Sequence, residues 1–233
     1  MKMKQKTLIP EIPVMTPPPA PTEVPRDLTF EKMPGVVLKE NAILYMTKQF
    51  NEENCMPLTR AITEYNLMPK DKQPEVIHLH INSPGGEVYH ALQLIDTIKQ
   101  SRIPVWTYNL GIAASCGCLL LMSGHKRFAT KYSQTMSHVF SGGSGGKEFD
   151  LYSRVNSLKM TSKFMEEHYK EHTGHSLAYV RKYLLPPEDV WLSAEGALKY
   201  NIIDEIIDTN QRPVPQEWKQ SKNKKSKKKN KKS

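Results

Sequence analysis

Val105-Trp106-Thr107-Tyr108-Asn109-Leu110-Gly111-Ile112-Ala113-Ala114-Ser115-Cys116-Gly117-Cys118-Leu119-Leu120-Leu121 changes character at its serine. Residues 105–110 read as a strand, and the apolar run that ends at Gly124 reads as a buried helix. Ser115 stands where one hands over to the other, among residues small enough to let a ligand approach its hydroxyl. Working outward, residues 76–81 alternate as a strand and stop at Asn82-Ser83-Pro84-Gly85-Gly86, a tight turn. Val88, Ala91, Leu92, Leu94, Ile95 and Ile98 then recur at helical spacing through Gln100. Residues 36–38 and 42–46 read as early strands. A helix is expected over 51–65, with Met56, Leu58, Ile62 and Ala61 inward. Short strands are expected at 127–129 and 136–140. Strand and helix in alternation imply βαβ units, right-handed crossovers and a largely parallel sheet, whose sites gather at the carboxyl ends of the strands.

A free hydroxyl is a weak nucleophile and needs a base, a group orienting that base, and donors for an oxyanion. On local sequence alone, Ser115 reads better as the cap of its helix. The turn at 82–86 supplies the missing donors: two consecutive glycines after a strand leave backbone N–H groups unobstructed. It has neither G-x-x-x-x-G-K-[ST] nor G-x-G-x-x-G spacing, so an oxyanion hole built from the Gly86 and Cys116 N–H groups fits better than a nucleotide site. Among eight histidines, His138 differs by closing a short strand, residues 135–140, just before a glycine-rich loop at 141–146. His168, His172 and His175 read as parts of a polar, charged helix and its exit. The orienting acid lies among Asp150, Asp189, Asp204 and Asp208. Asp189 stands in a turn leading to a short extended piece and a helix capped by Ser193, which predicts a fixed carboxylate rather than a solvated one. Periodicity alone does not separate it from Asp204.

Seven of the 17 prolines fall in the first 25 residues, so 1–28 is expected to be a flexible leader and 213–233 a lysine-rich tail, flanking one domain over 29–212. Nine lysines follow Trp218 with no acid among them, so the formal charge of +9 belongs to the tail and residues 1–218 carry no net charge. Such a block contacts nucleic acid or an acidic protein without sequence preference, or simply solubilises the chain. Neither a secretory h-region nor a membrane-spanning apolar run is present in the sequence. Cys55, Cys116 and Cys118 suit a reducing, cytoplasmic location; Cys116 and Cys118 read as small buried hydrophobes, and no metal or cofactor is expected.

Four ordered motifs resemble the ATP-dependent Clp protease proteolytic subunit family, ClpP: 81–86, 111–117, Met136-Ser137-His138, and 189–197, beginning Asp189-Val190-Trp191-Leu192-Ser193. The resemblance runs from about Leu38 to Ile207. It implies an α/β fold of the ClpP/crotonase type, with repeated ββα units and a handle helix over 149–171. It also implies a serine endopeptidase in which Ser115 is the nucleophile, His138 the base and Asp189 the group orienting it, with Gly86 and Cys116 forming the oxyanion hole. Homo-oligomeric rings enclosing the sites, polypeptide substrates and a feeding AAA+ Clp ATPase follow from the same resemblance. The long termini and Val139-Phe140-Ser141 depart from the family pattern. The termini suit, as the alternative, a phage head-maturation protease working in the prohead without an ATPase, while the Val139-Phe140-Ser141 departure bears on substrate preference. A crotonase-like acyl-CoA enzyme or a non-catalytic ring subunit ranks lower, since all three residue types are present.

Overall fold

The computed structural model describes residues 38–141 and 147–207. The leader 1–28, the loop 142–146, Asp208 and the tail 213–233 lie outside the described residues. In chain order the elements are β1 (Ile43–Met46), α1 (Glu52–Leu67), a 3-10 turn (Lys70–Lys72), β2 (Ile77–Ser83), α2 (Val88–Gln100), β3 (Val105–Ala114) and α3 (Cys116–Met122). There follow β4 (Lys126–Thr130), β5 (Gln134–Ser137), α4 (Glu148–Thr173), α5 (Leu177–Tyr183), β6 (Val190–Ser193), α6 (Ala194–Lys199) and β7 (Glu205–Ile207). Strands β1, β2, β3, β4 and β7 lie side by side in parallel, as alternating strand and helix require. Leu38, expected at the end of a strand, instead lies in a helical turn.

β2 shows why its residues form a strand with two distinct faces. Ile77, Leu79 and Ile81 are fully buried, while His78 and His80 between them are half-buried. The second face carries a ladder of rings across the strands, in which Tyr45 meets His80, His80 meets Tyr108, and Tyr108 stacks on Phe128. α2 buries Val88, Ala91, Leu94, Ile95 and Ile98 in the core as its spacing predicts. α1 starts at Asn51, whose side-chain oxygen accepts the Asn54 N–H at 2.9 Å. Its inward residues are Cys55, Leu58, Ala61, Ile62 and Tyr65. Met56, expected inward, is half-buried one step off this stripe.

β3 is longer than its local sequence indicates and is the strand on which the site depends. Reading stops at Leu110 because Gly111 and the alanines have little strand propensity. The strand nevertheless continues to Ala114, since it pairs β4 along Trp106–Asn109 and then β5 along Ile112–Ala114. On its other side Ala113 lies opposite Ser83 of β2. Tertiary pairing on both edges overrides the weak propensity.

α4, which sequence reading takes as a polar, charged helix, holds a buried imidazole. His168 is only 1% exposed, and its Nε2–H donates to the Leu119 carbonyl of α3 at 2.9 Å. Burial first, and then neighbouring His172, push the His168 pKa down to about 3. His172 is lowered to about 4, again chiefly by burial. The imidazole is therefore neutral in the folded chain, whereas an unfolded chain takes up its proton below about pH 6.5. Stability from this group is complete above pH 6.5 and is lost as pH falls toward 3, on the order of 5 kcal/mol over the full span. Urea midpoints measured from pH 7.5 to 4.5 should fall more steeply for wild type than for His168→Gln, which keeps a donor but does not titrate. Parallel curves would contradict this.

Candidate active site

Strand pairing converts distant sequence positions into one cluster. Ala114 at the end of β3 lies opposite Met136 in β5, and the Ser115 N–H donates to the Met136 carbonyl at 2.9 Å. β5 runs antiparallel to β6 with Ser137 opposite Val190, so the next pair outward is His138 and Asp189. Each of the three residues thus stands one position beyond a strand: Ser115 after β3, His138 after β5 and Asp189 before β6. His138 follows its strand rather than closing it, because pairing to β6 ends at Ser137.

Ser115 has φ 56° and ψ −119°, a backbone conformation that L-residues adopt at a cost of about 1–3 kcal/mol. The strain comes from turning a strand directly into a helix, and it lifts the side chain out of the chain's path. The hydroxyl caps nothing in α3. Its Oγ lies 2.7 Å from His138 Nε2, which accepts the Ser115 O–H when the other ring nitrogen carries the proton. A hydroxyl capping α3 would instead face its own helix.

His138 is mostly buried, with its side chain 15% exposed, and its Nδ1 lies 3.6 Å from Asp189 Oδ1. This is an ion-pair distance, longer than a hydrogen bond. The Asp189 side chain is 54% exposed, so the expectation of a fixed carboxylate rather than a solvated one is corrected. Among the described residues β6 pairs only with β5. Asp204, the rival acid, is committed elsewhere: it accepts Arg127 N–H at 2.8 Å and Nε–H at 3.0 Å and is ion-paired with the same guanidinium. Asp150 sits in the first turn of α4.

The glycine turn lies against the serine. A Cβ on Gly85 would stand 2.7 Å from Ser115 Cβ, 2.8 Å from the Ala114 carbonyl oxygen and 3.2 Å from the Cys116 nitrogen, and Gly85 has φ +99°. Only glycine meets both demands. Phe50, which sequence reading misses, clamps the turn: its N–H donates to Gly85 O at 2.9 Å and its carbonyl accepts the Glu87 N–H at 2.8 Å. The Gly86 N–H is bypassed by this pairing, and the Cys116 N–H begins α3, where no helical acceptor precedes it. The Cys116 thiol donates to Gly86 O at 3.2 Å, and burial raises its pKa to about 11, so it acts as a neutral donor. Beside the hydroxyl and imidazole is a pocket of about 50 Å³ walled by Val88, Leu119, Phe140 and Met165. Met165 comes from α4, and no local pattern in that helix marks it.

A serine hydroxyl hydrogen-bonded to an imidazole that faces a carboxylate, at the strand ends of a parallel α/β sheet, is the arrangement of a serine-type hydrolase. Residues 30–210 match the family described as Clp protease. The chain is 34% identical over 179 residues to the ATP-dependent Clp protease proteolytic subunit 2 of Corynebacterium diphtheriae, covering 76% of this chain and 87% of that one. It is 31% identical over 188 residues to the protein of the same name from Thermobifida fusca, covering 80% and 90%. Against the proteolytic subunit 1 of Corynebacterium jeikeium it is 31% identical over 184 residues, covering 78% and 93%. The chain belongs to the Clp protease family, with the ClpP/crotonase-like fold, and is a serine-type endopeptidase. No described helix is long and apolar enough to cross a membrane.

Proposed function

We propose that the chain hydrolyses peptide bonds through Ser115, His138 and Asp189 inside a closed homo-oligomer to which an AAA+ Clp ATPase delivers unfolded polypeptide. The observation that carries the reading is the 2.7 Å contact between Ser115 Oγ and His138 Nε2 at a strained strand-to-helix turn. In the first step Ser115 Oγ attacks the scissile carbonyl while His138 takes the hydroxyl proton. The Gly86 and Cys116 N–H groups receive the charge that develops on the carbonyl oxygen. His138 then gives that proton to the departing amine, leaving an acyl group on Ser115. Water, deprotonated by the same imidazole, releases the acid and restores the serine. Asp189 favours the Nδ1 proton and stabilises the imidazolium through a partly solvated ion pair. The pocket beside the hydroxyl takes the side chain that precedes the scissile bond, and against its Val88, Leu119, Phe140 and Met165 walls a charged group would lose hydration without a charged partner.

Oligomer formation is supported by α4, whose first half exposes Phe149, Tyr152, Val155 and Met160, with Tyr89 of α2 nearby through a Tyr89–Ser157 hydroxyl contact of 3.1 Å. Apolar side chains this exposed in one region suit a subunit contact. ATPase dependence rests on the names of the relatives, which are subunits of an ATP-dependent protease. A second reading, a prohead protease working without an ATPase, is favoured by one feature, the lysine-rich stretch 213–233. Its lysines would face packaged nucleic acid or an acidic scaffold protein. Solution mass and casein cleavage with and without a Clp ATPase and ATP test these assignments. A multi-subunit mass and ATPase-stimulated cleavage are expected. A monomeric mass overturns the oligomer, and cleavage indifferent to the ATPase favours the second reading.

A further inference from the structure

Behind the site lies a line of buried polar side chains that none of these roles uses. Ser137, next to His138, is fully buried, and its Oγ–H donates to the Leu184 carbonyl at the end of α5. A carbonyl cannot donate and a serine has one hydroxyl proton, so Ser137 Oγ must be the acceptor toward Tyr169, whose Oη lies 2.6 Å away. Tyr169 Oη in turn accepts the Cys118 S–H at 3.4 Å. The proton direction is therefore set throughout, from Cys118 to Tyr169 to Ser137 to Leu184 O. Tyr169 is 1% exposed, and burial holds its phenol well above the usual tyrosine range, so it keeps its proton.

This line joins α3, α4, β5 and the end of α5, and two of its members, Cys118 and Ser137, adjoin the reacting groups. Ser137 immediately precedes His138. The Cys118 N–H donates to the Ser115 carbonyl at 2.9 Å. We infer that Tyr169 is a positioning residue: its hydroxyl, held between Ser137 and Cys118, sets the spacing of the ends of β5 and α3 and with it the alignment of His138 on Ser115. The inference rests on the proposed pairing of those two residues as base and nucleophile. A buried hydrogen-bonded line with every member partnered is rigid, and a misplacement of about 1 Å between reacting groups costs about 10²-fold in rate.

Tyr169→Phe in the full chain keeps the ring and removes only the hydroxyl. The kcat for a fluorogenic peptide and the rate constant for fluorophosphonate labelling of Ser115 are each expected to fall about 10- to 100-fold, with KM unchanged within about twofold. Ser137→Ala should do the same, and the double variant should be no worse than the weaker single, because both act through one line. A folded Tyr169→Phe protein with wild-type rate constants overturns the inference, as does a raised KM with unchanged kcat or an additive double variant. If Tyr169→Phe does not fold, Ser137→Ala alone decides on the same criteria. Wild type is the control for the parent reading. If it is not labelled at Ser115 that reading fails, whereas equal labelling of wild type and Tyr169→Phe sinks only the role of Tyr169.

Discussion

Peptide hydrolysis by His138→Ala is expected to fall about 10²–10⁴-fold, the range a positioned general base contributes, with little change in thermal stability. The side chain is mostly buried, and its polar contacts among the described residues are those with Ser115 and Asp189 named above, so its removal chiefly leaves the serine without a proton acceptor. Ser115→Ala should be at least as severe, and combining the two should add almost nothing, because a nucleophile without its base and a base without its nucleophile are equally idle. Asp189→Asn is expected to cost less than His138→Ala. Its carboxylate is half in water and 3.6 Å from the ring, so solvent already screens part of the stabilisation it gives the imidazolium. Initial rates with a fluorogenic peptide, measured on wild type and the four variants at matched oligomeric state, check the order. Wild-type hydrolysis by His138→Ala would contradict it.

Gly85→Ala should abolish detectable hydrolysis, by a factor of at least about 10², and lower stability by about 1–3 kcal/mol. The new methyl group would overlap Ser115 Cβ and the Ala114 carbonyl, both tied to the ordered end of β3, and the backbone at φ +99° is unsuited to alanine. Nothing flexible stands in its way to yield. Gly174→Ala provides the matched control. That residue also has positive φ, at +72°, but a Cβ there meets nothing within 4 Å, so a modest loss of stability with full activity is expected. Equal activity of the two variants would show that close approach at Gly85 is unimportant.

Much of this architecture is legible in the sequence because burial imposes its period on the residues. The two-residue alternation of 76–81 and the helical spacing of 88–98 give β2 and α2 at nearly their true bounds. What local pattern cannot carry is pairing. β3 continues through Gly111 to Ala114 only because β2 and β5 flank it, and the choice of Asp189 over Asp204 depends on the antiparallel register of β5 and β6. Asp204 looks as good until Arg127 is seen to occupy it. Phe50 acts through its backbone, for which its side-chain identity is no signal. His168 and Tyr169 sit in a helix rich in charge, and their burial comes from α3 and β5 packing across them rather than from any stripe of their own. The strain at Ser115 is likewise invisible in a sequence where serine also suits a helix start.

The most direct test is to react the purified full chain with a fluorophosphonate and locate the adduct by peptide mass spectrometry. A single adduct on Ser115 is predicted, absent in Ser115→Ala and formed far more slowly in His138→Ala. A folded wild-type protein that takes no label, or takes it on another residue, would contradict the account.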